Sequence, residues 1–239
     1  RKRAVSHLIT NTDNQLNVKL NEIYEFLKLY QENILFIGRG NHEESVMKYN
    51  GLDIIEMLVT MLNMGKEHKI LYGNYANFLR FTFKEQGKNR CEYHYDIYAH
   101  HGSGGSAPVT KGIIDYSRIE KSVLADLFWT GHRHNALIDA SDTILYPDNN
   151  GNVMLKNRQC IQTPSYQKGR TLDNNINFAE RMYTNQALAG FGELNLRLIA
   201  GNRSKGERDY IIVPDLKITT VPQMIIGKAQ TAALKERVR

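Results

Sequence analysis

The sequence contains very little cysteine. Its two cysteines, Cys91 and Cys160, are far apart and match no Cys-x-x-Cys metal or redox pattern. The sequence therefore gives no indication of a disulfide framework, and it fits a reducing, intracellular setting. Both cysteines are expected to be small, buried apolar residues.

Long apolar runs are absent as well. No segment approaches the roughly 20 apolar residues that a membrane-spanning helix needs. The basic start Arg1-Lys2-Arg3 is not followed by the apolar region of a secretory signal. We therefore expect a soluble, cytoplasmic protein with no membrane partner. Repeats and low-complexity tracts are also missing, so a single domain over residues 1–239 is expected.

Acidic residues are outnumbered by basic ones. The formal net charge is +6 and the isoelectric point is about 9.2, which favours an anionic partner such as DNA, RNA or a phosphorylated metabolite. Much of the excess lies at the two ends of the chain, where solvated termini explain it at least as well. Charge alone therefore does not identify the partner.

The first half of the chain alternates helical and extended patterns. Apolar residues at spacings of three and four predict amphipathic helices over residues 16–30 and 52–62. A further helix is expected around residues 117–124. Short apolar or alternating runs predict strands at residues 34–37, 69–72, 78–84, 93–99 and 126–130.

Beyond Asn135 the pattern becomes strand-rich. Turn-forming residues, such as those at 148–151, separate candidate strands at residues 153–156, 193–200 and 210–213. The two halves together predict an α/β fold of two packed sheets flanked by helices.

Histidine is concentrated in three short segments. Five of the eight histidines lie in GNHE at residues 40–43, HHG at 100–102 and GHRH at 131–134. Each segment follows a strand-like run, and α/β folds place chemistry in the loops at the carboxyl ends of strands. Imidazole is the commonest protein ligand of first-row divalent metals, and the amide oxygen of Asn41 is a harder supplementary ligand. The three segments together therefore predict a metal site at one edge of a sheet.

Each segment alone also has a structural explanation. GNHE fits a turn in which Asn41 caps a helix, and His132 and His134 fit a structural pair. In an extended segment those two histidines would point to the same side, whereas a turn would aim them at adjacent metals. The metal site is predicted because all three segments occur in order, each at the end of a strand.

The ordered set GNHE, HG and GHxH resembles the second half of the signature of calcineurin-like metallophosphoesterases. The resemblance covers residues 34 to about 137, and the segments HHGSGG (100–105) and ADLFWTGHRH (125–134) are similar to phage and bacterial members in particular. It implies a four-layer α/β/β/α sandwich of two mixed sheets flanked by helices, with a binuclear metal centre at the carboxyl ends of the strands. It also implies metal-dependent hydrolysis of phosphate esters, as a phosphodiesterase or phosphatase.

The same resemblance implies the ligands of the two metals. Carried over by motif, Asn41, His101 and His132 would ligate one divalent ion and His134 would ligate the other, and the ions would be Mn, Fe or Zn. His100 is the alternative to His101, because the doubled histidine leaves the register open.

The chemistry of such a centre suits these residues. Two divalent ions can polarise a phosphoryl oxygen and lower the pKa of a bound water, so that hydroxide attacks phosphorus. By resemblance, His42 would be the catalytic acid that protonates the leaving alkoxide, with Glu43 or another carboxylate orienting its ring. Arg133 would help to hold a phosphate oxygen, or else its side chain would be exposed to solvent.

The chain departs from the family pattern in one respect. The Asp-x-His and Gly-Asp motifs that lie upstream of GNHE in family members, and supply the remaining ligands, occur nowhere in this sequence. The chain also begins at Arg1 rather than at methionine, so we expect that an N-terminal piece is missing. The chain as given is then expected to bind at most one divalent ion well.

Two other functions are compatible with the sequence. A catalytically inactive phosphoesterase domain could serve as a binding or scaffolding subunit, but it would have no need of the retained residues Asn41, His42, His132 and His134. A single-zinc site built only from the histidines would make Asn41 incidental. The retained residues therefore favour the enzyme.

Overall fold

The computed structural model describes residues 9–84, 92–104, 110, 112–147, 151–165, 189–200 and 210–220. These residues form a mixed α/β structure with four α-helices and several sheets. The chain divides into two compact units, Arg1–Asn77 and Phe78–Arg239. Among the described residues, no helix combines the length and the apolar character that crossing a membrane requires.

The first unit consists of helices and a small parallel sheet. Helix α1 (Ile9–Lys28) is followed by a 3-10 turn (Gln31–Asn33) and strand β1 (Phe36–Ile37). The chain then forms the helices α2 (Asn41–Asn50) and α3 (Ile54–Asn63) and the strand β2 (Leu71–Tyr72). β2 pairs in parallel with β1.

One apolar cluster forms the core of the first unit. It joins the inner faces of α1 and α3 to the residue before β2, and its buried members are Leu20, Leu58, Val59, Leu62 and Ile70. Leu20 packs together with the partly buried Tyr24 and Leu27 of α1, and the buried residues of α3 also lie at helical spacing, so the two amphipathic helices predicted from the sequence are confirmed.

Helix α2 could not be found from apolar periodicity, because none of its residues is buried. Instead, a local hydrogen bond fixes the start of α2 and a glycine ends it. The amide of Gly40, the residue before the helix, donates to Glu43 Oε2 at 3.0 Å, and Gly51, with a φ of 70°, follows the last turn. Asn41 is therefore the first helical residue, and the interpretation of Asn41 as the helix cap is wrong.

The second unit is built on a five-stranded sheet with the strand order β3-β4-β5-β7-β6. In chain order the strands are β3 (Ala76–Lys84), β4 (Glu92–His100), β5 (Leu127–Thr130), β6 (Leu137–Pro147) and β7 (Val153–Gln162). β4, β5 and β7 run parallel, and β6 pairs with β7 in the antiparallel direction. Helix α4 (Ile113–Ile119) precedes β5, and β8 (Gly190–Ala200) pairs with β9 (Tyr210–Thr220) as an antiparallel hairpin.

The two faces of this sheet pack against different elements. One face contacts the β8–β9 hairpin through the buried side chains Tyr95, Ile97, Leu127 and Ile161. The other face contacts α4 and the segment before β5 through Tyr116, Ala125, Phe128 and Cys160. Successive residues of a strand point to opposite faces, so the described part of the second unit has three layers in the order helix, sheet, two-stranded sheet.

Several sequence predictions can be compared with this fold. The strand-rich second half is confirmed, and Cys160 is buried as expected, whereas Cys91 lies outside the described residues. The helix expected around residues 117–124 was wrong in position, since α4 begins at Ile113 and ends at Ile119. Strand β6 was not predicted. Its register shifts between Asp139 and Asp142, and this irregularity interrupts the alternation that would have revealed it.

Candidate metal site

Two of the histidine segments lie at the carboxyl ends of neighbouring parallel strands in the second unit. β4 ends at His100 and β5 ends at Thr130, and these two residues are partners in the strand register. Just beyond the strands, the amide of Gly131 donates to the carbonyl oxygen of His101 at 3.2 Å. The structure therefore brings the HHG and GHRH segments side by side at one sheet edge.

The imidazoles of His101 and His132 face each other at this edge. His101 Nε2 lies 3.2 Å from His132 Nδ1, and the ring centroids are 5.1 Å apart with an interplanar angle of 63°. Without a metal this contact is a hydrogen bond whose direction depends on the two tautomers. The same separation suits two ligands of one ion, because nitrogens about 2.1 Å from a metal, at an angle of about 100°, are about 3.2 Å apart.

The GHRH segment forms a tight turn. His132 and His134 have φ values of 65° and 59°, which place both residues in the left-handed region. The amide of Arg133 donates to the carbonyl oxygen of Gly131 at 2.7 Å and so closes the turn around His132. The extended alternative for the two histidines is thereby excluded. Left-handed backbone is uncommon in residues other than glycine, and such strain is concentrated at functional sites.

Gly102 allows the two loops to approach each other closely. Its φ is 100°, and a Cβ at this position would lie 2.7 Å from the carbonyl oxygen of Gly131 and 3.0 Å from Cβ of His132. Any side chain here would push the GHRH turn away from the HHG loop. The close approach of His101 and His132 therefore depends on glycine at position 102.

The two histidines of the HHG segment have different surroundings. The His100 ring stacks on Tyr98 with a centroid distance of 6.0 Å, and its Nδ1 accepts a hydrogen bond from the amide of Gly102 at 2.8 Å. Burial lowers the pKa of His100, which favours its neutral form. His101 is thus the member of the doubled histidine whose ring faces His132.

The side chain of Arg133 is buried and forms an ion pair with Asp115 in the first turn of α4. Only 11% of the Arg133 side chain is exposed, so the interpretation of this arginine as solvent-exposed is wrong. Asp115 also lies 3.9 Å from Arg118, whose side chain is 77% exposed. Sequence reasoning missed Asp115, because an aspartate at a helix start carries no signal of a distant partner.

A small cleft adjoins the HHG and GHRH loops. Side chains from α4 and from the ends of β4, β5 and β7 line it, and Ser103, Thr130, Arg133 and Gln162 are among them. The Gln162 amide donates to the carbonyl oxygen of Asn135 at 3.0 Å, so the end of β7 also holds the chain that follows the GHRH turn. The cleft offers room for a polar group beside these loops.

The GNHE segment lies in the first unit, where it follows β1 and opens α2. Asn41 is half-buried and His42 is exposed. Glu43 accepts the hydrogen bond from the amide of Gly40. Its carboxylate therefore caps the helix, and its expected role in orienting the His42 ring is not observed.

Arg39 holds the loop that precedes GNHE. Its guanidinium, in a side chain that is 10% exposed, lies 3.0 Å from Asp53 Oδ2 and donates to Asn74 Oδ1 at 2.8 Å. Asp53 also caps α3 by accepting two backbone amide hydrogen bonds and accepts one from Tyr72 Oη at 2.6 Å. Burial acts to raise the pKa of Asp53, but the Tyr72 and amide hydrogen bonds and Arg39 outweigh it and lower that pKa.

The donor set of the second unit is a pair of imidazoles. Within the described part of the chain, no three His, Cys, Asp or Glu side chains are grouped so that they could hold one metal ion. The type and the separation of the two ring nitrogens of His101 and His132 nevertheless fit a divalent ion that prefers nitrogen ligands. All four ligand assignments, Asn41, His101, His132 and His134, therefore stay predictions.

Comparison with known proteins found no family model, no curated protein and no solved structure that significantly matches the chain.

Proposed function

We propose that the chain is a metal-dependent phosphoesterase of the calcineurin-like type, which hydrolyses a phosphomonoester or a phosphodiester in the cytoplasm. The observation that carries this proposal is the His101–His132 pair, with ring nitrogens 3.2 Å apart at the carboxyl edge of a parallel sheet. The tight turn and the close glycine approach beside the pair support it, because strained backbone is concentrated at functional sites.

The proposed roles follow from the position and chemistry of each side chain. His101 and His132 would hold a divalent ion, which supplies Lewis-acid activation of the phosphate ester and of water when it is bound. Asn41 would be a further ligand of that ion, and His134 would bind a second one. His42, exposed at the start of α2, would donate a proton to the leaving oxygen.

The proposed fold extends the layers of the second unit. Its helix, sheet and two-stranded sheet correspond to three layers of the four-layer α/β/β/α sandwich that the resemblance implies. A fourth, helical layer is part of the proposal. The net charge of +6 supports a nucleic acid as the phosphodiester substrate.

The proposal is tested by metal binding and hydrolysis together. Purified chain would be titrated with Zn²⁺ and Mn²⁺ by calorimetry and assayed against an aryl phosphodiester. His132→Ala is expected to reduce metal occupancy and the hydrolysis of every substrate, because a direct ligand is lost. His68→Ala is the matched control, since His68 belongs to none of the three histidine segments. Its Nε2 lies 2.8 Å from the carbonyl oxygen of Ile34 in the first unit.

Two results would contradict the proposal. If His132→Ala and the unaltered protein bound metal equally well, His132 would not be a ligand and the proposed metal site would be rejected. Metal binding without hydrolysis across a broad substrate panel would favour the inactive binding or scaffolding subunit.

A further inference from the structure

We infer that Asp115 is a positioning residue for the histidine pair. Through its ion pair with Arg133 it holds the left-handed turn in which the His132 ring faces His101. The part of the inference that concerns metal affinity rests on the proposed function, whereas the part that concerns the orientation of the rings does not.

The GHRH turn is strained and therefore needs stabilising contacts with residues outside the turn. Left-handed backbone is unfavourable for a residue other than glycine, and the turn contains two such residues, His132 and His134. Arg133 lies between them, and its side chain is the part of the turn that reaches to α4. An interaction of Arg133 therefore acts on both strained residues at once.

The ion pair with Asp115 keeps the side chain of Arg133 in place. A buried guanidinium is unfavourable unless an anion compensates its charge, and Asp115 supplies that anion. Moving the turn would separate the two charges and leave the guanidinium of Arg133, whose side chain is 11% exposed, without the anion that compensates it. The ion pair thus favours the one turn geometry in which Arg133 reaches Asp115.

Asp115 is itself held in place by the packing of its neighbour and by a backbone hydrogen bond. The next residue, Tyr116, is 6% exposed, and its ring packs edge-on against Phe128 of β5 with centroids 5.4 Å apart. The amide of Asp115 also donates to the carbonyl oxygen of Gly112 at 3.1 Å. The position of Asp115 is therefore fixed by the core under β5, the same strand whose end carries the GHRH turn.

The experiment reads the imidazoles directly in the metal-free protein. Two-bond ¹H–¹⁵N spectra of the full chain at one fixed pH report the tautomer of each ring, and signals would be assigned with His101→Gln and His132→Gln. In the unaltered protein we expect one dominant tautomer each for His101 and His132, because their ring nitrogens share a hydrogen bond. Asp115→Asn keeps the shape of the side chain but removes its charge, and it is expected to shift both rings towards a mixture of tautomers.

The matched control is Arg118→Ala. It removes the other, exposed cation beside Asp115 and should leave both rings as they are. Asp115→Asn signals identical to those of the unaltered protein would overturn the inference, since the ion pair would then only stabilise the fold. If Asp115→Asn does not fold, Arg133→Met decides the question by the same criterion, because it removes the other partner.

A second measurement connects the pair to metal binding. Zn²⁺ titration by calorimetry is expected to show about tenfold or greater loss of affinity in Asp115→Asn, the size of effect seen when groups that orient a metal ligand are removed. Unchanged affinity together with unchanged ring signals would overturn the positioning role. If the unaltered chain binds no Zn²⁺ but Asp115→Asn still alters the ring signals, the positioning role holds and the proposed function fails.

Discussion

At the scale of single residues, the candidate site depends on backbone that favours glycine. Gly102 has a positive φ and touches the GHRH turn, whereas Gly151 has a φ of 80° and, among the described residues, no atom lies within 4 Å of the point that its Cβ would occupy. The two glycines therefore separate two effects. A substitution at Gly151 measures only the free-energy cost of placing a side chain on left-handed backbone. A substitution at Gly102 adds the cost of the steric clash with the GHRH turn.

We predict that Gly102→Ala and Gly151→Ala both lower the free energy of unfolding, by about 1–2 kcal/mol for the backbone alone. Only Gly102→Ala should also weaken Zn²⁺ binding, because its Cβ would meet the carbonyl oxygen of Gly131 at 2.7 Å. Urea unfolding and calorimetric titration of the two variants measure these effects. Equal Zn²⁺ affinities would show that the close approach of the loops is not needed.

We predict a different behaviour for His42. His42→Ala should leave metal content nearly unchanged and lower the turnover of substrates with poor leaving groups by about 10²–10⁴-fold, because only those substrates need a proton at the departing oxygen. An aryl and an alkyl phosphodiester, assayed side by side with metal analysis, provide the comparison. Equal losses for both substrates would remove His42 from the role of catalytic acid.

The residues of the site could be predicted from the sequence only in part. The histidines stand out because they follow strand-like runs, and the strand pattern alone placed HHG and GHRH at strand ends. Asp115 and Asp53 could not be found, since each acts through an arginine that is distant in sequence, Arg133 or Arg39. Ion pairs of this kind are set by packing, which has no local signature.

At the scale of elements, Asp53 connects the start of α3 to the loop before GNHE. Its carboxylate caps the helix and contacts both Arg39 and Tyr72. The folded protein lowers the pKa of this carboxyl, so the unfolded chain takes up its proton first as the pH falls. The stabilising effect is therefore complete above the unfolded pKa of about 4 and is lost as the pH drops through the lower folded value.

We predict that Asp53→Asn lowers the free energy of unfolding by about 1 kcal/mol at pH 7, because asparagine can cap the helix but cannot pair with Arg39 as a charge. The difference from the unaltered protein should shrink below about pH 4. Urea unfolding at several pH values measures it. Glu25→Gln is the control, since the pair of Glu25 with Lys28, at 3.8 Å, is exposed, and a similar pH-dependent loss there would refute the special role of Asp53.

The elements that sequence patterns found and missed differ in how they are stabilised. α1 and α3 were predicted because they bury one apolar face, as Leu58 and Leu62 illustrate. α2 was missed because it buries nothing and depends on the Gly40–Glu43 hydrogen bond. The misplaced α4 has its buried contact at Tyr116. Ile119 at the end of the helix and Val123 in the turn after it also pack against the sheet.

At the scale of the whole molecule, the chain has two units, and each of them has its own buried clusters. Leu62 belongs to the cluster of the first unit, and Ile161 belongs to a cluster of the second. Both side chains are almost fully buried. In each unit, an ion pair between a largely buried arginine and a partly exposed aspartate lies beside a histidine-bearing loop, Arg39–Asp53 in one unit and Arg133–Asp115 in the other.

We predict that Leu62→Ala destabilises the first unit by about 2–5 kcal/mol, because it leaves a cavity between α1 and α3. Amide hydrogen exchange should accelerate most in those two helices, while in Ile161→Ala it should accelerate most in β4, β5 and β7. Mass spectrometry of peptic fragments locates the change. The same exchange pattern for both variants would show that the two clusters unfold as one.

The left-handed φ values of His132 and His134 have a consequence for engineering the protein. Glycine would adopt this backbone without strain, so laboratory selection for heat tolerance alone would be expected to enrich glycine at both positions. Each such gain would delete an imidazole from the GHRH turn. Heat tolerance and the proposed metal binding thus make opposite demands on the same two residues, and a stabilisation programme would have to leave both histidines untouched to keep the proposed site intact.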